Sequence, residues 1–377
     1  MEYTEADVTR NGGDWGPSRI SRLAGRVRAA ATRGRVSLLG TVLVLVVGGF
    51  VALRTVDTGQ LADAVRNADP LLLAAGAAVY ALSWPLRGRR YDDILAGMGR
   101  RCGTAFATGA VFVSQTANLV VPARGGDALR AYLLNSRREV PYAKGAASLT
   151  VERLFDLLAL LALGSLALAG LALTGNAGSL TGAADFLVPA ALVGGIGVAA
   201  SALVVGVARY DPGIGAPIRS RLDGPRIRKL VDAAVRFGRD VRALAENPRA
   251  VGVVGTGSLL IWLLDVVTAV LVLAAVTGSA GMGTVDFLAV GTLAVTVGNL
   301  AKVLPLSQGG IGLYEAAFTA LVVAVSPIAA GPALAAAVLD HALKNATTVV
   351  GGAASALALN VSPTTAPAEP ETEPVDF

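Results

Sequence analysis

The segment Asn118-Leu119-Val120-Val121-Pro122-Ala123-Arg124-Gly125-Gly126-Asp127 breaks a long apolar run with a proline, two glycines and two charges. The stretch before it, Cys102–Ala123, holds no Asp, Glu, Lys or Arg. It therefore has the polarity and the length, about 20 residues, of a helix that crosses a bilayer. Both flanks, however, are basic: five Lys or Arg lie in 87–101 and three in 136–144. Basic loops stay on the cytoplasmic side, so a single crossing here would put one of them on the wrong face. A hairpin that enters and returns removes the conflict, because non-helical backbone is tolerated at membrane depth where it is buried or lines a watery cavity.

Residues 299–310 repeat the pattern: Asn-Leu-Ala-Lys-Val-Leu-Pro-Leu-Ser-Gln-Gly-Gly. In both segments Asn-Leu is followed by a proline (Pro122, Pro305) and then by Gly-Gly (Gly125 and Gly126, Gly309 and Gly310). Downstream, Glu152, Arg153 and Asp156 share the spacing i, i+1, i+4 with Asp340, His341 and Lys344.

The whole composition agrees with a membrane protein. Of 377 residues 54% are hydrophobic and 16% charged, against about 25% charged in a soluble domain; the mean hydropathy is +0.61. This excludes a disordered chain, a surface-charge binder of nucleic acid and most soluble enzymes. The net charge of +5 reports topology instead: 25 of the 32 basic residues fall in 1–35, 87–101, 136–144 and 209–249, and only two in 54–69, 174–185 and 278–286. The first group is read as cytoplasmic and the second as external.

The expected fold is an all-α polytopic membrane protein. About six full transmembrane helices and two re-entrant hairpins, 7–8 hydrophobic segments in all, form an inverted repeat, the plan of many secondary transporters. Repeat 1 (36–173) comprises helices at 36–53 and 70–86, a hairpin at 102–135 and a helix from about 148 to 173. Repeat 2 (186–358) comprises 186–208, 250–277, a hairpin at 287–327 and a helix at 333–358. A basic cytoplasmic N-terminal segment (1–35), a basic cytoplasmic loop (209–249) and a disordered acidic tail (359–377) complete the 36–358 membrane domain. The run 36–53 is read as a retained span and not a removed signal peptide. The tail carries no Lys or Arg and four acids, so it gives the cytoplasmic placement no support; one more crossing by the second hairpin would put it outside.

Ionisable groups inside spans cost about 2.5–3.5 kcal/mol each on insertion scales, so each needs a reason. Arg124 and Arg130 flank Asp127. If a half-helix begins at Gly126, its free N–H groups and two guanidiniums make a phosphate site; the other reading is that the arginines simply pair with Asp127. Glu152, Arg153 and Asp156 share a helix face, as a cavity wall or as an ion-pair network. Lys302, Gln308, Gly309, Gly310 and Glu315 are the second hairpin's counterpart, where a half-helix is expected to start at Gly310 and carry Glu315 in its second turn, with Asn118 and Asn299 at equivalent places. Asp340 and Lys344 have the favourable i, i+4 order, and Asp265 is expected to pair with Lys302, Lys344 or Arg153. A single His and a single Cys can build no metal site and no disulfide. Residues 225–246 form a basic amphipathic pattern, expected to lie on the cytoplasmic leaflet or simply to set topology.

With these residues in hand, Leu304-Pro305-Leu306-Ser307-Gln308-Gly309-Gly310-Ile311-Gly312-Leu313-Tyr314-Glu315 resembles the hallmark of the lysylphosphatidylglycerol synthase transmembrane (flippase-like) family. Asn118 to Arg130 with Pro122, Arg124, Gly125 and Asp127, and Glu152-Arg153 with Asp156, resemble its other signatures, and the resemblance spans roughly residues 40–358. It implies lipid translocation as a class. In larger relatives this region precedes an aminoacyl-transferase domain that this chain lacks, so lysine transfer is not expected.

The expected function is a lipid flippase or translocase in the cytoplasmic membrane, N-terminus cytoplasmic, moving a phosphate-bearing lipid or glycolipid head group. The substrate-binding residues are Asn118, Arg124, Gly125, Gly126, Asp127, Arg130, Glu152, Arg153, Asp156, Asn299, Lys302, Gln308, Gly309, Gly310, Glu315, Asp340 and Lys344, with Pro122 and Pro305 at the breaks. The alternatives are a carrier of small soluble anions and a membrane-embedded head-group transferase. No nucleotide-binding or hydrolase motif is present, so a transporter and not an enzyme is expected, with no cofactor and no metal. Its partners are membrane lipids with an anionic or polyprenyl-linked head group, not nucleic acid, and a homo-oligomer is allowed.

Overall fold

A computed structural model describes residues 57–121, 124–174, 184–185, 187–192, 194–199, 236–303 and 307–361. The expected segment 1–35, the span 36–53, Pro122, Pro305, most of the loop 209–249 and the tail beyond 361 lie outside the described residues. All regular structure among the described residues is helical.

Helix starts are written into the sequence. Asp57 caps α1 (Thr58–Arg66). Asp69 caps α2 (Pro70–Gly97) by accepting the Leu71 and Leu72 N–H groups at 2.8 and 3.3 Å, and Pro70 sits in the first turn, where a missing N–H is harmless. Then follow α3 (Thr104–Val120), α4 (Gly125–Arg138) and α5 (Tyr142–Leu173). The start of α6 (Pro248–Thr277) repeats the device: the Asn247 side chain accepts the Ala250 N–H at 3.1 Å ahead of Pro248. α7 (Thr284–Ala301), a 3-10 turn at Gln308–Gly310, α8 (Leu313–Val325) and α9 (Ala330–Ala358) complete the described helices with labels.

Among the described residues five helical segments are long and apolar enough to cross a membrane: α2, α5, α6, α7 and Gln308–Val325, which includes the 3-10 turn. Large apolar side chains on the outside, such as Leu71, Leu166, Leu173 and Val350, are 70–88% exposed, a surface that lipid can cover and water cannot cheaply. The chain is a multi-pass membrane protein.

α2 lies along α6. The pair α3 and α4 packs together, with α3 also against α9; α7 packs against α8 and against α5. The largest apolar cluster joins α5 to α9 around Phe287, Leu293, Tyr314 and Phe318. A second joins α2, α3 and α4 around Trp84, Tyr91, Phe106 and Leu134. The α3–α4 approach depends on Gly126, where a Cβ would stand 2.0 Å from the Ser114 carbonyl oxygen.

Three expectations change here. α2 does not end near residue 86 but runs through Pro85 to Gly97, because the charges of that stretch have partners inside the protein. The second half-helix begins at Leu313, capped by Gly312 and Glu315, and not at Gly310. The helix at 236–245 buries Val241 and Leu244 against Ile94, Met98, Val151 and Val254, and Lys144 reaches its Asp240 at 2.8 Å. That part of the amphipathic segment docks on protein and not on the leaflet.

Candidate functional site

The two breaks face one another, with Gly309 against Leu119, and a cavity of about 560 Å³ lies between them. Arg124 enters it from the first break, as the N-cap of α4 with a left-handed backbone (φ +57°). Lys302, Ser307, Gln308, Gly309 and Gly310 enter from the second. Gly310, at φ +77°, is fixed by space as well as by conformation: a Cβ there would stand 2.2 Å from Lys302 Cγ. The walls come from α2, α3, α5, α6, α7 and α9.

Of the residues singled out in the sequence, Asn118, Arg124, Glu152, Arg153, Asp156, Asn299, Lys302, Gln308, Gly309, Gly310 and Lys344 line this cavity. Gly125, Gly126, Asp127, Arg130, Glu315 and Asp340 stand behind the lining. Arg130 is fully buried, bonding Glu152 at 2.7 Å and lying over the Tyr91 ring. Asn118 organises the first break: it accepts the Gly126 N–H at 2.9 Å and donates to Asp127 at 3.1 Å. Arg153 makes looser pairs, 3.5 Å from Asp127 and 3.9 Å from Asp156.

Residues outside the sequence-based set complete the site. Arg87 and Arg90, set aside in the sequence as part of a cytoplasmic basic loop, are interior groups. Arg87 lines the cavity, 3.9 Å from Asp265. Arg90, 2% exposed, bonds Glu152 at 2.9 Å, Asp156, and Ser258 at 2.9 Å. The signal was available: Arg87 and Arg90 continue the helical register of the apolar run before them. Tyr80, Trp84 and Trp262 also line the cavity, and Trp262 donates to Asp156 at 2.9 Å. Nothing in an apolar run marks one tryptophan as cavity-facing.

The second half has its own polar cluster. Lys344 bonds Asp265 at 2.9 Å and Asp340 at 3.0 Å, so two of the expected pairings occur together. Tyr314 donates to Asp340 at 2.6 Å. His341 lines the cavity and meets Glu315 at 2.6 Å through Nδ1, while the other Glu315 oxygen accepts the Gly312 N–H at 2.7 Å. A carboxylate held at both oxygens fixes the orientation of the imidazole, the arrangement a proton-transferring histidine requires. Among the described residues no cluster of three His, Cys, Asp or Glu stands where a metal ion could be held.

The described helices of this multi-pass membrane protein thus surround a cavity lined by polar and charged side chains. The chain belongs to the family described as the lysylphosphatidylglycerol synthase TM region, whose profile matches residues 37–352. It is 46% identical over 358 residues to Glycosyltransferase AglD of Haloferax volcanii, a match covering 90% of this chain and 57% of that protein. The chain thus spans little more than half the length of that relative. No solved structure matches. The expectation of a transporter that is not an enzyme is corrected by this relative, whose name is that of an enzyme. That expectation rested on the lack of contiguous catalytic motifs, and polar groups gathered from separate helices leave none.

Proposed function

We propose that the cavity receives the phosphate-bearing head group of a membrane lipid or glycolipid while the lipid tails remain in the bilayer. One observation carries this reading: Arg124 and Lys302, one from each break, line the same cavity and neither has a carboxylate within ion-pair distance among the described residues. A phosphate between them would supply the missing counter-charge. The remaining substrate-binding residues named above shape the walls or hold the breaks in place.

The architecture we infer is an inverted repeat with two re-entrant hairpins, in the cytoplasmic membrane with the N-terminus cytoplasmic. Two sets of helices support it. α2 to α5 have 28, 17, 14 and 32 residues, and α6 to α9 have 30, 18, 13 and 29. The first helix of each set packs on the other, and α3 packs on α9 as α7 packs on α5. Such a repeat offers equivalent openings to the two leaflets, which suits movement of the head group across the bilayer. A proteoliposome assay with fluorescent lipids tests it. Movement above that in empty vesicles, lost in Arg124→Ala, is expected; no movement of any lipid class would overturn translocation.

A second reading, glycosyl transfer at the bound head group, is favoured by the relative's name and by the Glu315–His341 pair at the cavity. His341 would take the acceptor hydroxyl's proton as that oxygen bonds the anomeric carbon of a lipid-linked sugar and the bond from that carbon to the lipid phosphate breaks, releasing the lipid phosphate. Turnover of a radiolabelled lipid-linked sugar that is abolished by His341→Gln supports it, and turnover unchanged in that variant rules His341 out.

A further inference from the structure

The charges of the cavity are not merely cationic on balance; they are paired on one side only. Three carboxylates line it, and each is already occupied. Glu152 meets Arg90 with one oxygen and Arg130 with the other, at 2.9 and 2.7 Å. Asp156 meets Arg90 and Trp262 with one oxygen and faces Arg153 with the other, at 3.9 Å. Asp265 meets Lys344 at 2.9 Å and faces Arg87 at 3.9 Å. Two lining cations, Arg124 and Lys302, have no such partner among the described residues.

The uncharged groups point the same way. Among buried polar atoms without a hydrogen-bond partner are Trp84 Nε1, Arg153 Nε and Ser307 Oγ, all on residues that line the cavity. The first two can only donate and the third can donate. Unmet buried donors favour a ligand rich in acceptor oxygens. An ammonium group would find no vacant carboxylate among the lining residues, since Asp340, whose Oδ1 has no hydrogen-bond partner, is not one of them, and it would face two cations without an ion pair.

Resting on the head-group reading above, we infer that the cavity selects anionic, oxygen-rich head groups and rejects head groups carrying an ammonium, including the lysylated lipid in the family's name. Specificity lies with Arg124 and Lys302, by attraction toward one class and repulsion toward the other. Within the accepted class, a lipid-linked sugar phosphate suits the donors and the Trp262 ring best.

The full chain in nanodiscs, analysed by native mass spectrometry, tests this. The probes, at equal mole fraction, are a prenyl-linked sugar phosphate, phosphatidylglycerol and lysylphosphatidylglycerol; soluble glucose 1-phosphate and inorganic phosphate serve as competitors. The two anionic lipids should be retained about tenfold better than the lysylated one. Arg124→Glu with Lys302→Glu should reverse the order. Among the described residues neither has an ion pair to lose, but Lys302 Nζ lies 4.5 Å from the Tyr314 ring centroid; thermal unfolding checks the fold, and Arg124→Glu alone, which spares that contact, should shift the order in the same direction. Equal or better retention of the lysylated lipid overturns the selectivity alone. Retention of no lipid at all overturns the head-group reading beneath it. Displacement of bound lipid by either soluble competitor at the same concentration assigns the site to a soluble anion and overturns the lipid source.

Discussion

Buried arginines and acids make the cavity wall a network in which each member holds others. Glu152 is the clearest case, because its two oxygens serve two arginines that are both nearly inaccessible. Breaking a buried pair by removing one partner costs about 3–5 kcal/mol, since the other charge is left uncompensated. Glu152→Gln should therefore lower the unfolding temperature of the detergent-solubilised protein sharply. Arg124→Ala, at an exposed position without an ion pair, should change stability by no more than about 0.5 kcal/mol while weakening head-group retention. A comparable loss of stability in both variants would show that Arg124 is a structural residue. Cys102 offers a separate check at this scale. It lies between α2 and α3, and burial pushes its thiol up to about 12. The thiolate is then a minute fraction at neutral pH, so thiol-reactive dyes should label native protein slowly. Because the folded-state value is raised, labelling should speed up about tenfold per pH unit up to that value, and unfolding should expose the thiol at once.

Elements are joined where a side chain would not fit. Gly126 sits so close to the Ser114 carbonyl that even alanine must push α3 and α4 apart. Overpacking of this kind costs about 1–3 kcal/mol. Gly126→Ala should also disturb Asn118, which accepts the Gly126 N–H, so a loss of ligand retention should accompany the loss of stability. At the other break, Gly310→Ala would meet both the left-handed backbone and the Lys302 stem. Lys302 is flexible and can yield, so the main expected effect is on retention of anionic lipid, read by the same nanodisc measurement. The breaks themselves were legible in the sequence because Pro, Gly-Gly and charge cannot continue an apolar helix. Their detail was not: the start of α8 at Leu313 depends on Glu315 turning back to the Gly312 N–H, a local closure that the Gly-Gly pattern alone does not favour over a start at Gly310.

At the scale of the molecule, the α2–α6 contact links the two sets of helices. A Cβ built on Gly76 lies 3.8 Å from Leu271 Cβ, about the mean separation across a disulfide. A Gly76→Cys, Leu271→Cys pair in a Cys102→Ser background should cross-link on mild oxidation, detectable as a gel shift reversed by reductant. Failure to cross-link would contradict this packing. The same contact explains why Arg87 and Arg90 escaped a reading by charge count. In one dimension they belong to a basic run that looks like a loop; in three they meet Asp265, Ser258, Glu152 and Asp156 from α5 and α6.

The membrane class and the two interruptions followed from the sequence by itself, because bilayer thickness, backbone satisfaction and proline and glycine stereochemistry act locally. Helix limits in the second half were nearly as legible: 250–277 was expected and Pro248–Thr277 is found. Tertiary structure alone decided which charges are spent on one another. Arg130 and Glu152 are 22 residues apart, Lys344 and Asp265 79 apart, and no spacing rule links such partners. A charge's role depends on whether a counter-charge reaches it in space, so only the folded chain separates the occupied cations from Arg124 and Lys302.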